Sequence, residues 1–324
     1  MKNIPGAVEK VIAGDVRAVA RLIRDIDDGI PEARETLKAL YPHTGKAFVI
    51  GITGAPGVGK STLVDQMVFH LRKKGETVGV LAIDPTSPFT GGAILGDRIR
   101  MQRHSLDGGV FIRSMATRGH FGGITLSTRS AIDVLDAMGK DLIIVETVGV
   151  GQDEVDVVKM AHTTVVVVIP GMGDDIQAIK AGILEVGDIF LVNKADRDGA
   201  EKTVSDLQLM IDMDQKKYKG GRWKPPVLLA EAVFDKGVTE FLEEIEKHRT
   251  YLIDSSGSLH IRDKEKVREE LADIIKNRLI QEVFNQLTET GEFEKAVESI
   301  LNGKTDPYTA CDNIILPKLS RSNG

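Results

Sequence analysis

Six short apolar runs punctuate the middle of the chain: residues 47–53 (AFVIGIT), 77–84 (TVGVLAID), 141–147 (DLIIVET), 163–170 (TTVVVVIP), 188–193 (DIFLVN) and 226–230 (PVLLA). Strands this apolar are buried on both faces, as in a parallel sheet covered by helices. Segments with helical spacing of apolar residues lie between them, for instance 61–74 and 125–138. Repeated strand-then-helix units predict an α/β fold, a doubly wound and mostly parallel sheet. Right-handed crossovers then bring the C-terminal end of every parallel strand to one rim.

The flanks have a different texture. Residues 5–40 carry Val11, Ile12, Val16, Val19, Leu22 and Ile23 at helical spacing, and Gly29-Ile30-Pro31 breaks the segment into two expected helices. Beyond about Ser255 the strand signal stops. Residues 264–287 predict an amphipathic helix, Gly291 interrupts it, 292–301 predict a second helix, and 306–324 read as a loose tail. The expected organisation is an N-terminal helical extension (1–45), an α/β nucleotide-binding domain (46–255) and a C-terminal helical arm with its tail (256–324).

Composition narrows the chemistry. The 324 residues include a single cysteine, Cys311, which excludes an internal disulfide and a thiolate zinc site. A net charge of −6 argues against a nucleic-acid partner. No stretch reaches the roughly 20 apolar residues of a membrane span, and residues 1–24 mix charge with apolar positions, unlike a signal peptide. A cytoplasmic location with no membrane partner is expected.

The strongest motif is Gly54-Ala55-Pro56-Gly57-Val58-Gly59-Lys60-Ser61, followed by Thr62, set between a strand and a helix. Glycines let successive backbone N–H groups point at phosphate oxygens, and the helix N-terminus adds its positive dipole end. Lys60 is placed to reach the β- and γ-phosphates and Ser61 to ligate Mg²⁺. At the end of another strand stands Asn193-Lys194-Ala195-Asp196. The Asp196 carboxylate matches the two donors of guanine, N1–H and N2–H₂, a pair that adenine lacks. Asn193 is expected to brace the loop and Lys194 to pack its stem on the base. GTP is therefore the expected nucleotide.

The third element is residues 142–149, in which a strand ends on Glu146 and Gly149 follows three residues later. Glu146 is expected to hold Mg²⁺ through water, and the Gly149 N–H to touch the γ-phosphate. Asp84 closes its strand on the same rim, a candidate for orienting the attacking water or the Mg²⁺ shell; Asp97 is a further candidate metal contact. The glycine- and arginine-rich segment 85–120 reads as a switch whose order depends on the γ-phosphate.

Together these residues resemble the methylmalonyl-CoA-mutase-associated GTPases of the MeaB and ArgK type. The shared strings are GITGAPGVGKST at 51–62, Asp84-Pro85, ETVGVGQ at 146–152 and Asn193-Lys194-Ala195-Asp196. The resemblance implies a P-loop GTPase that gates cofactor loading and protection of an adenosylcobalamin-dependent acyl-CoA mutase, with a separate adenosyltransferase as a possible further partner and adenosylcobalamin held only by the partner. It implies Asp84, Asp97 and Glu146 as acids around Mg²⁺, a switch at 171–180 that includes Lys180, and a homodimer formed through the arm at about 264–301. Lys180, an arginine or a partner residue then drives hydrolysis. The family's base-supporting Thr-Ser-Ala reads Ala230-Glu231-Ala232 here; the Ala232 N–H still suits guanine O6, whereas Glu231 departs from the pattern. Val150 stands where many GTPases carry a water-orienting glutamine, so slow intrinsic hydrolysis stimulated by a partner is expected. Alternatives are a kinase or ATPase linked to Lys/Arg/ornithine transport, for which no acceptor site is legible, and a nickel-metallochaperone-like GTPase, against which the seven scattered histidines speak.

Overall fold

The computed structural model describes residues 4–84, 101–116, 123–147, 160–171, 187–213, 218, 222–254 and 258–320. Among these, seven strands form one all-parallel sheet: β1 (Phe48–Thr53), β2 (Val78–Asp84), β3 (Val110–Ala116), β4 (Leu142–Thr147), β5 (Thr163–Val168), β6 (Ile189–Asn193) and β7 (Val227–Ala230), in the order β3-β2-β4-β1-β5-β6-β7. β1, β4, β5 and β6 are buried along their whole length, which is why they read as unbroken apolar runs. β1 lies between β4 and β5, where the strand order reverses, and that is where an open α/β sheet offers a crevice at its C-terminal edge.

On one face of the sheet, α4 (Lys60–Lys73) and α7 (Val238–Asp254) pack Leu63, Met67, Phe241 and Ile245 against Ile50, Ile52 and Val165. On the other, α5 (Gly123–Ala137) covers Val49, Leu81 and Ile143, and α1 (Ile4–Ile12), α2 (Val16–Asp27) and α3 (Pro31–Leu40) join the same core through Val11, Val19, Ile23 and Leu40. α6 (Ala200–Met213) packs Leu207 and Ile211 on β5 and β6. After α7 come α8 (Ser258–Thr290), α9 (Glu292–Leu301) and α10 (Pro307–Ser320). The chain divides into two compact units, Met1–Glu270 and Leu271–Gly324. No helix of the described residues is long and apolar enough to cross a membrane.

Three local expectations need correction. The N-terminal segment forms three helices, not two, because Gly14 turns at φ 79° and Asp15 caps α2, its Oδ1 accepting from Arg17 N (2.8 Å) and Ala18 N (3.0 Å). Residues 110–116, read within a switch, form edge strand β3; Arg113 and Ser114 interrupt its apolar pattern, and Arg113 reaches out to the Ala20 carbonyl at 3.0 Å. The tail read as loose contains α10, started by Asp306, whose Oδ1 accepts from Tyr308 N (2.9 Å) and Thr309 N (3.0 Å), with Pro307 in the first turn.

Two buried polar anchors fix the frame. Asp136 of α5 accepts hydrogen bonds from Gly45 N (2.6 Å), Lys46 N (3.2 Å) and Ala47 N (3.1 Å), holding the entry into β1. At the N-terminal edge of β6, Asp188 accepts two bonds from the Arg262 guanidinium (2.7 and 3.0 Å) and one from Thr164 N (2.9 Å). Beside it, the fully buried His248 ring bonds through Nδ1 to the Thr163 hydroxyl at 2.8 Å. Burial pushes His248 down to about 4, against the opposing pull of Asp188.

Asp136→Ala strands three amide donors and is expected to cost about 2–4 kcal/mol in urea denaturation. His248 stays neutral in the native protein while the unfolded chain takes up a proton near the ordinary value of about 6.5. Stability from this residue is full above that pH and falls as pH drops toward 4, by roughly 3 kcal/mol. Denaturation midpoints at pH 7 and pH 5 check this, and His248→Asn is expected to flatten the difference.

Candidate functional site

The loop between β1 and α4 is shaped by what lies behind it. Gly54 has φ 140°, and a β-carbon there would sit 2.1 Å from the Val167 carbonyl of β5. Gly59, at φ 98°, turns the chain into α4, and a β-carbon there would meet Asn193 Nδ2 at 2.5 Å. Both positions demand glycine for conformation and for space. Val58 is fully buried and anchors the loop from below, whereas Pro56 and Gly57 are exposed at its tip. Lys60 opens α4 and is buried; its Nζ donates to the Gly54 carbonyl (2.5 Å) and the Ala55 carbonyl (3.0 Å). The ammonium thus lies across the mouth of the loop, at the N-terminus of a helix, where both favour an anion.

The next residue, Ser61, donates its hydroxyl to Glu146 Oε1 at 2.7 Å, and both side chains are buried. The sheet register explains the meeting, since Ile52 pairs with Glu146 in β4 and so sets the glutamate beside the C-terminal end of β1, where the loop to α4 begins. The pair brings one hydroxyl and one carboxyl oxygen together beside a helix N-terminus, a hard oxygen donor set that fits Mg²⁺. Asp84 ends β2 on the same rim, opposite Ala116 of β3. Asp97, Gly149 and Lys180 lie outside the described residues.

The second motif closes on the first. Asn193, at the end of β6, donates through Nδ2 to the Val58 carbonyl (2.8 Å), while its Oδ1 accepts the Ala232 N–H (3.1 Å). Lys194 adopts φ 56° and donates through Nζ to the Gly57 carbonyl at 2.6 Å. A non-glycine residue in the left-handed region is uncommon, and functional sites are where it concentrates. Asp196 is exposed two residues further on. The Ala195 N–H donates to the Ala230 carbonyl (3.1 Å), joining this loop to the end of β7. Glu231 forms an ion pair with Lys236 at 3.0 Å.

The structure therefore brings together Gly54, Ala55, Gly57, Val58, Gly59, Lys60, Ser61, Glu146, Asn193, Lys194 and Ala232 through the bonds and close contacts above. Sequence reasoning had no signal for the Val167 carbonyl behind Gly54, for the Val58 carbonyl as the Asn193 partner, or for the Glu231–Lys236 pair. Backbone acceptors leave no trace in residue type.

Comparison with known proteins agrees with this geometry. The family described as Methylmalonyl Co-A mutase-associated GTPase MeaB matches residues 19–288. A protein of Pyrococcus abyssi named as a GTPase is 50% identical over 308 residues, 95% of this chain and 94% of the relative. GTPase ArgK of Escherichia coli is 34% identical over 264 residues (81% and 78% of the two chains). A methylmalonic aciduria type A homolog, mitochondrial, of Caenorhabditis elegans is 31% identical over 289 residues (88% and 72%). The crystal structure of LAO/AO transport system kinase superposes with a TM-score of 0.68 at 24% identity, covering 96% of each chain, a likeness of fold. With a glycine loop, a helix-opening lysine, a serine–glutamate pair and an Asn-Lys-Ala-Asp loop on the rim of a parallel sheet, the chain belongs to the MeaB family of methylmalonyl-CoA-mutase-associated P-loop GTPases.

Proposed function

We propose that this GTPase gates cofactor loading and protection of an adenosylcobalamin-dependent acyl-CoA mutase, using GTP binding and hydrolysis as the timer. The observation that carries the reading is the family match, which runs from the second N-terminal helix through the nucleotide site into α8, under a description that names association with methylmalonyl-CoA mutase. A relative named for methylmalonic aciduria, matched over 88% of this chain, supports the same partner class.

Within that reading each residue has a task. The amides of 54–59 and the Lys60 ammonium bind the phosphates, Lys60 exchanging its two loop carbonyls for phosphate oxygens. Ser61 and Glu146 would hold Mg²⁺, with Asp84 and Asp97 as further acids around it, and the bound ion would supply positive charge to offset charge developing on the phosphates. Asn193 keeps the phosphate loop and the base loop in one frame, Lys194 packs its stem along the base, and Asp196 accepts from guanine N1–H and N2–H₂. Gly149 senses the γ-phosphate, and Lys180 belongs to the segment that reports nucleotide state to the mutase. Intrinsic hydrolysis is slow because Val150 holds no water, and the partner accelerates it by ordering the switch segments.

The chain acts as a homodimer through its C-terminal arm. In support, Leu271, Ile275 and Leu279 follow one another every fourth residue on α8 and stand 56%, 48% and 61% exposed. An apolar stripe of that kind calls for a partner surface.

GTP hydrolysis alone and with a purified adenosylcobalamin-dependent acyl-CoA mutase tests the main reading. A rate increase specific to the mutase is expected; a rate that no mutase changes overturns the partner while leaving the GTPase in place. Glu146→Gln is expected to raise the Mg²⁺ concentration for half-maximal hydrolysis about tenfold, leaving GDP affinity in EDTA within about twofold. Sedimentation is expected to give a dimer that Leu279→Asp dissociates.

A further inference from the structure

The root of α8 meets α5 in a seam whose polar groups are incompletely matched. Where the root begins it is firmly held: Arg262 donates twice to Asp188 (2.7 and 3.0 Å), and His162 Nε2 stands 3.2 Å from Asp263 Oδ1. One turn on, Arg129 of α5 donates through Nη1 to the Lys266 carbonyl at 2.9 Å. The rest of that guanidinium is poorly used. Arg129 is 6% exposed, and its Nε and Nη2 have no hydrogen-bond partner among the described residues. Nη2 faces Glu269 Oε2 only at ion-pair range, 3.6 Å, and that oxygen is itself buried without a hydrogen bond.

Helical spacing brings two more carboxyls into the seam. Asp133 stands one turn after Arg129 on α5, and Glu270 one turn after Lys266 on α8. Both are partly buried. Among the described residues no hydrogen bond reaches the Asp133 carboxyl. The charges that act on it are Glu270 across the seam and Asp136 and Arg129 on its own helix, and Asp136 is already engaged by the amides of residues 45–47. Burial first, and then the Glu270 charge, push Asp133 up to about 7. Burial raises Glu270 as well, against the pull of Arg129. One guanidinium thus serves Asp133, Glu269 and Glu270, and like charges in a site that water only partly reaches do not all ionise without cost.

We propose that Asp133 keeps a proton beside a charged Glu270, and that the contact between α5 and the root of α8 is a proton-sensitive dock, closed while that proton is present and loosened when it leaves. In an opened seam the carboxyl returns toward its ordinary value of about 3.9. The contact is therefore strongest in acid, weakens as the pH rises, and carries its full penalty above about 7. Two neighbours act with the opposite sign. His162 accepts the Val49 N–H at Nδ1 (2.8 Å) and is kept neutral by burial, so pH below its ordinary value of about 6.5 weakens its hold on Asp263. Burial pushes Lys266 down to about 7 against the pull of Asp263, 3.7 Å away, so a pH rising above 7 favours its docked form. Asp133→Asn leaves both neighbours in place and keeps the shape of the protonated carboxyl, so the difference between it and the wild type isolates Asp133.

Carboxyl ¹³C NMR of the full chain labelled in aspartate, together with hydrogen exchange of residues 264–270, tests this. The aspartate signal missing from Asp133→Asn is expected to titrate above about pH 6 in the wild type, and Glu270→Gln to bring it down by about one unit or more. With intrinsic exchange rates divided out, protection of 264–270 in the wild type relative to Asp133→Asn is expected to fall about tenfold or more from about pH 5 to about pH 8. Glu270→Gln, on the other helix, repeats the exchange comparison with a variant that also mimics a protonated carboxyl. A merely structural role for Asp133 would give a protection difference that is the same at every pH. An Asp133 carboxyl that titrates below about pH 6, a titration that Glu270→Gln does not move, or a protection ratio that does not fall over this range overturns the proposal.

Discussion

The Val167 carbonyl at the end of β5 lies directly behind Gly54, at a distance that admits no side chain between them. This contact between two backbones, from strands that are neighbours only because the sheet is parallel and reordered, gives the phosphate loop its curvature. The backbone cannot hold its N–H groups toward an anion by its own preference, since the left-handed turns at Gly54 and Gly59 are open to glycine in many shapes. The packing behind the loop selects one of them. Asn193 then holds the loop at Val58, and the lysine and serine that open α4 inherit their positions from that fixed start.

The two rims of the sheet divide the labour. At the N-terminal edge, Asp188, Arg262, His248 and Thr163 form a largely buried and densely bonded group, joined by the Trp223 indole donating to the Asp188 carbonyl at 2.7 Å. At the C-terminal edge the backbone is strained at Lys194, and a serine and a glutamate share one short contact in a buried site. Densely bonded polar groups hold the first rim, and the left-handed Lys194 and the buried serine–glutamate pair occupy the second. Such separation lets a site carry local strain without endangering the fold that supports it.

The central sheet was legible because its strands are buried on both faces, and burial on both faces leaves an uninterrupted apolar run. β3 escaped notice for the opposite reason, being an edge strand whose Arg113 points to a helix carbonyl and breaks the run. The break before α2 and the start of α10 were written in Asp15 and Asp306, each followed by a backbone that its carboxyl caps, yet single aspartates are too common to stand out. At the site, the chemistry-bearing residues announced themselves by type and spacing: Lys60, Ser61, Asn193 and Lys194 sit where the motifs put them. What positions them did not, because Val167 and Val58 act through main-chain carbonyls. The departure at Glu231 was visible as a residue but not as a pair with Lys236, since the hairpin that joins them is a product of the fold.

The interleaved strand order also bears on how the chain comes into being on the ribosome. β1 and its glycine loop emerge early, but the strand that backs the loop follows only after β2, β3 and β4, and the asparagine and hairpin that latch it come later still. Until β7 and the residues after it have left the exit tunnel, the growing polypeptide has the letters of a nucleotide site without its walls. Completion of the site is thereby deferred to the end of synthesis of the α/β part, and a chain truncated before Val167 would carry the complete phosphate motif and lack the wall behind it.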